Sequence, residues 1–245
     1  MENPLLRGAL IALKVTLATF ITGNIVASLM GALPVTFTPI AMSVIDTKIV
    51  EDLNDALARR KGDPAASENL ALMHFLHDDL PAARAAISGV RAPFEPTLAA
   101  VDAALRVKEA GAMLDFLFGQ RKLARLNQAL ADLDRLASDN PDDTGIQVLA
   151  LATFASLPNI DDMLRKAQRL AANLTPRLEQ QSLPVELRAS GWLAIAVTEA
   201  ATAAETQEHS AALKRRDVML ARFDSLTGLP TWLITKREAL TDPKK

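Results

Sequence analysis

The chain has 245 residues, a formal net charge of −2 and no cysteine. That length suits an anchor plus one sizeable domain. Missing cysteine excludes disulfides, thiol nucleophiles and cysteine-ligated zinc or iron–sulfur sites. The near-neutral charge offers no global basic field for nucleic acid, so none is expected as a partner. Hydrophobic residues reach 49% with aromatics at only 4%. The apolar content therefore rests on Ala and Leu, which favours helix over strand.

The first long feature is Val15–Ile45, which contains no charged residue. A membrane-spanning helix needs roughly 20 apolar residues, and residues 15–33 supply about that. Lys14 sits where its stem can snorkel to the headgroups. Pro34 is a natural stop, because hydrocarbon cannot replace the hydrogen bond it removes. A cleaved secretory signal is the competing reading. Its apolar core is normally about 7–15 residues long and ends in a small-x-small site. Here the run is longer, and the exits near Ala27 and Ala32 are spoiled by Leu29 and Met30. Arg7 and Lys14 precede the span, while Asp46, Glu51 and Asp52 follow it. The basic end predicts a cytoplasmic N-terminus, with the large C-terminal part in a periplasm. Within the span, Thr19, Gly23, Ala27 and Gly31 recur every fourth residue. A stripe of small residues lets a second helix approach closely in lipid, and Asn24 beside it can hydrogen-bond across the contact.

The expected organisation is a tip and anchor over residues 1–33, an apolar juxtamembrane linker over 34–45, and a helical domain over 46–245. A first helix begins near Asp46, with Ile45, Ile49, Leu53 and Leu57 on one face. Later helices are predicted over 66–77, 80–88, 95–109, 111–119, 122–138, 143–156, 160–174, 185–205 and 209–224, with a short last helix over 231–240. Gly111 is read as the stop of the helix over 95–109. The loops between helices are short and hold Pro, Gly, Asp and Asn, as antiparallel neighbours require.

Gln128–Pro141 reads QALADLDRLASDNP. It resembles the second helix of a tetratricopeptide repeat, with Ala129, Leu133, Leu136 and Pro141 at the small, large, apolar and closing-proline positions. Pro176 closes the next pair at a spacing close to that repeat's period. His77–Ile87 resembles a turn and second helix, with Leu80, Ala83 and Ile87 in the corresponding slots. The resemblance covers roughly residues 65–225 and implies an all-α solenoid of stacked helix pairs that binds other proteins. A second likeness is local: Phe223–Pro230 resembles the opening run of diguanylate cyclase domains. Residues 231–245 contain no glycine, so they hold none of that domain's glycine-rich signature.

Patterns that carry chemistry are missing: no glycine-rich phosphate loop, no G-x-S-x-G elbow, no H-E-x-x-H. His74 and His77 lie three apart on one helix, a weak candidate pair for a metal. Asp142-Asp143 and Asp161-Asp162 precede helices, where carboxylates cap amides. Two basic clusters, Arg121/Lys122/Arg125 and Lys214/Arg215/Arg216, lack the aromatics that stack bases. Trp192 and Trp232 read as core or groove anchors.

These features point to a non-enzymatic, cofactor-free scaffold anchored in the inner membrane. It would hold a protein partner, at least one of them membrane-embedded, during assembly of a membrane or periplasmic complex. The alternative is a permanent accessory subunit of a respiratory, photosynthetic or secretion complex. A secreted metal-binding helical protein is a third reading.

Overall fold

The computed structural model describes residues 34–115, 119–160, 162–205, 207 and 209–241. Among these it is all-α, without strands. Ten helices follow in order: α1 Val44–Arg59, α2 Pro64–Leu76, α3 Leu80–Ser88, α4 Pro96–Ala112, α5 Gln120–Asp139, α6 Thr144–Ala155, α7 Met163–Leu178, α8 Val185–Glu205, α9 His209–Asp224 and α10 Thr231–Thr241.

Side-chain caps set several of the starts. Ser43 and Asp46 form a capping box at α1. Asp63, Asp79 and Asp143 accept backbone amides at α2, α3 and α6. Each such cap stabilises its helix by about 1 kcal/mol over alanine. The expected start of α1 near Asp46 is thus two residues late, because Ser43 supplies the cap and the helix opens at Val44.

The helices form four antiparallel hairpins: α2/α3, α4/α5, α6/α7 and α8/α9. The first helices touch in succession, α2 on α4, α4 on α6 and α6 on α8. α3, α5 and α7 each pack on their own partner and on the next first helix, and no second helix makes a comparable contact with the next second helix among the described residues. Contact thus runs continuously through the first helices and not through the second. α1 covers α2 at the open end of the stack. Successive first helices begin 32, 48 and 41 residues apart, at Pro64, Pro96, Thr144 and Val185.

Alanine makes the close helix approaches possible. Ala83, Ala100, Ala103, Ala129, Ala150 and Ala196 are all fully buried among Leu98, Leu133, Leu151 and Phe154. At the α7–α8 contact even alanine is too large. A Cβ on Gly191 would stand 2.5 Å from Leu178 Cδ1. Charged groups tie the outer edge of the first two hairpins. Asp102 receives Arg84 of α3 and Arg106 of its own helix, and Arg106 reaches Asp132 of α5 at 2.9 Å.

Three expectations need correction. The helix predicted over 111–119 is absent from the described part of that range: α4 runs through Gly111 to Ala112, and residues 113–115 are not helical. Gly111 keeps its helical conformation because the chain before α1 crosses it. Val35 N–H donates to Gly111 C=O at 2.9 Å, and Phe37 lies against the glycine. Next, α7 continues past Pro176 to Leu178. A proline in the last turn forfeits one intrahelical bond, and here buried Leu174 and Leu178 hold the turn in place. Finally, Ile45 and Ile49 are 73% and 41% exposed. The face of α1 that meets the core carries Asp46, Val50, Leu53 and Leu57 instead.

Candidate functional site

The residues that precede α1 run as an extended strap across the C-terminal ends of α4 and α2. Beyond the Val35–Gly111 bond, Ile40 N–H donates to His77 C=O at 2.8 Å, and the His77 ring returns to Ile40 C=O through Nδ1 at 3.1 Å. A carbonyl only accepts, so Nδ1 carries the proton. The strap therefore ends in a two-point clasp on one buried histidine.

Around this clasp a polar cluster forms beneath the strap. Asp46 Oδ2 lies 3.6 Å from His77 Nε2 and accepts Ser43 Oγ at 2.8 Å. One residue beyond His77, Asp78 adopts a left-handed backbone at φ +58°. That conformation turns its carboxylate back toward α4, where Lys108 donates to it and to Phe75 C=O. The Lys108 ammonium stands 4.0 Å from the Phe75 ring centre and 5.7 Å from that of Phe37 in the strap. A second cation arrives from the C-terminal helix: Lys236 of α10 lies 3.7 Å from Asp78.

Two lysines on one carboxylate in a sheltered site compete for charge compensation. Burial pushes Lys108 below the ordinary lysine range, with Asp78 opposing the shift. Burial and then the neighbouring Lys108 push Lys236 down to about 8, again against Asp78. His74, facing Asp79 at 3.7 Å, is also pushed down by burial.

The contacts here clamp the strap, α2, α4 and α10 to one another. A lysine with a depressed pKa is a competent amine nucleophile, but Lys236 lies beside the Trp232 ring, 5.4 Å from its centre. The neighbouring cavity, lined by residues including Phe223, Leu229, Ile234 and Arg237, contains neither Lys236 nor Asp78. His74 and His77 each face their own carboxylate. Among the described residues no group of three or more His, Asp or Glu side chains is placed to hold a metal.

No protein-family model matches this chain, and no curated protein or solved structure is significantly similar to it. The functional reading therefore rests on geometry and sequence pattern.

Of the residues singled out from the sequence, Leu80, Ala83, Ile87, Ala129 and Leu133 are buried, on the second helices α3 and α5. Leu136 is partly buried against the same core, while Pro141 lies in the exposed turn before α6 and Pro176 is exposed within α7. Trp192 and Trp232 are buried, with the Arg222 guanidinium 4.7 Å from the Trp192 ring. Asp143 caps α6 as expected, whereas Asp162 pairs with Arg165 and Lys166 and makes no cap bond. Thr19, Gly23, Asn24, Ala27 and Gly31 lie outside the described residues, as does the charge-free run over 15–33. No helix among the described residues is long and apolar enough to cross a membrane. Asp46, Asp78, Lys108 and Lys236 form the cluster without having carried any sequence motif.

Proposed function

We propose that this protein is a non-enzymatic scaffold, anchored through its N-terminal stretch, that holds a protein partner beside a membrane. The observation that carries the reading is the unbroken succession of first helices α2, α4, α6 and α8. Hairpins stacked in this way resemble a tetratricopeptide-type solenoid, whose inner face serves as an extended binding surface. The charge-free run over residues 15–33, entering the domain at the strap, supports the anchor, with the helical domain on the periplasmic side. The small-residue stripe Thr19, Gly23, Ala27 and Gly31 is the proposed contact with a membrane-embedded partner.

The test has two arms. The full chain should stay with the membrane pellet through an alkaline carbonate wash. Replacing Gly23 and Gly31 together by leucine should reduce co-purification of the partner from solubilised membranes. A chain that washes off removes the anchor, and unchanged co-purification removes the role of the stripe.

A further inference from the structure

The exposed apolar side chains of this protein are gathered rather than scattered. Among the described residues eight large hydrophobic side chains are exposed. Six of them, Val35, Val44, Ile45, Ile49, Leu114 and Leu123, lie in the strap, the start of α1, and the α4–α5 connection with the first turn of α5. Single exposed hydrophobics are ordinary, whereas a gathered set marks an interaction site.

Close contacts bring these segments to one end of the stack. Val35 N–H donates to Gly111 C=O in the last turn of α4, and Leu114 follows three residues later. Ile40 N–H donates to His77 C=O at the end of α2. Asp46 faces the same histidine at 3.6 Å, so Val44 and Ile45 open α1 beside it. Asp115 accepts the amides of Arg121 and Lys122 at 2.7 and 3.0 Å, which folds the connection onto the start of α5. The shared end thus consists of the C-terminal ends of α2 and α4 and the N-terminal ends of α1 and α5.

Free cations share this end. Arg121 and Arg125 are exposed and one turn apart on α5. Arg125 also donates to Met113 Sδ at 3.4 Å, which holds it against the connection. Neither forms an ion pair among the described residues, whereas Arg84, Arg106 and Arg165 are each tied to carboxylates. The local carboxylates are engaged: Asp46 with Ser43, Asp78 with Lys108, and Asp79 and Asp115 with backbone amides.

The covalent chain indicates what covers this end. Pro34 is the first described residue, and the charge-free run over 15–33 ends directly before it. Val35 is pinned to Gly111. Two residues reach at most about 7 Å, so a span ending at residue 33 leaves the bilayer beside this end of the stack.

We propose that this end is a bilayer-docking face. Val35, Val44, Ile45 and Leu114 enter the boundary between headgroups and acyl chains, and Arg121 and Arg125 meet the phosphates of anionic phospholipid. At a lipid interface the burial of apolar area and the attraction to anionic headgroups add. The proposal rests on the reading of residues 15–33 as a membrane span. It adds an orientation for the helical domain, with the C-terminal ends of α2 and α4 toward the lipid, and the class of lipid it selects.

A chain without cysteine can be labelled at one chosen site. The full chain carrying Leu114→Cys, Val44→Cys or Val218→Cys, each bearing a polarity-sensitive fluorophore, is placed in nanodiscs with and without anionic phospholipid. Val218 is 51% exposed on α9 in the last hairpin and reports the background. Emission from positions 114 and 44 should shift to the blue in anionic discs, and emission from position 218 should not. Arg121→Gln/Arg125→Gln should lower the ratio of docked to undocked chain about thirtyfold, at about fivefold for each basic residue near an anionic surface. A chain that resides in the discs without a shift at either position overturns the proposal and leaves the span standing. A shift at all three positions, or one indifferent to lipid charge and to both arginines, overturns it as well. A shift confined to discs that hold two chains assigns the face to a second copy and also overturns it. A chain that does not enter the discs removes the span, and the docking face with it.

Discussion

Asp78 Oδ1 lies 3.7 Å from Lys236 Nζ while it also accepts the Lys108 ammonium. One carboxylate at the α2–α3 turn thus joins α10 to α4. Its left-handed backbone, at φ +58°, is part of the arrangement, since a short polar side chain tolerates that region better than a larger one.

Asp78→Asn should therefore separate charge from backbone. Asparagine accepts the left-handed conformation, so the loss reports two sheltered cations left without a carboxylate, about 2–4 kcal/mol. Asp78→Ala should cost a further increment of about 1 kcal/mol for backbone strain. Urea midpoints of the two variants, compared with the unmodified chain, check both numbers.

Lys236→Met removes the costlier of the two cations while Lys108 still serves Asp78. Its stability at neutral pH should rise by about 1 kcal/mol. The pH dependence has a definite sign. The Lys236 pKa falls from 10.5 unfolded to about 8 folded. The contribution of this group to stability is complete above 10.5 and is lost as the pH falls through about 8. The unmodified chain should gain stability between pH 8 and 10, and Lys236→Met should show a flatter rise. Denaturation at pH 7.5 and 9.5 measures the difference.

His74 gives a second window. Burial lowers its pKa below 6.5, so its contribution is present above 6.5 and is lost as the pH falls through the folded value. His74→Gln should flatten the loss of stability below pH 6.5, read from thermal midpoints across an acid series.

Gly191→Ala sets helix propensity against packing. Alanine favours a helix by about 1 kcal/mol over glycine. The new Cβ would meet Leu178 Cδ1 at 2.5 Å and Cδ2 at 2.6 Å, and Leu178 is 0% exposed. Overpacking of this kind costs about 1–3 kcal/mol, so the variant should be less stable on balance. The double variant Gly191→Ala/Leu178→Ala should show less than additive loss, because the second change removes the clash made by the first.

Phe37→Ala tests the strap. It removes the ring near Lys108 and beside Gly111. Amides of residues 35–42 should lose hydrogen-exchange protection, while those of α4 and α6 keep theirs.

The helices were legible to the degree that punctuation marks them. α3, α8 and α9 have the bounds read from the sequence, since Pro81 opens α3, Gly89 closes it, and polar stretches flank the other two. Gly111 misled because its role as a stop depends on what lies against it, and that is a strap more than 70 residues away in sequence. Ile45 and Ile49 fit a helical stripe, but the adjacent face of α1 was claimed by Asp46 beside His77. The cluster itself was invisible for a related reason. Lys108 and Asp78 are 30 residues apart, and Lys236 comes from the far end of the chain. No local pattern encodes that meeting. His77, with His74 a weak metal candidate, donates through its ring to the carbonyl of Ile40.

The strap opens the described part of the chain and α10 closes it, yet both arrive beside Lys108. Synthesis runs in one direction, so these arrivals are separated by the whole time needed to translate the hairpins. The strap can dock once α4 has emerged. Lys108 is therefore alone on Asp78 while the later hairpins are made, and the second cation arrives only when Lys236 leaves the ribosome.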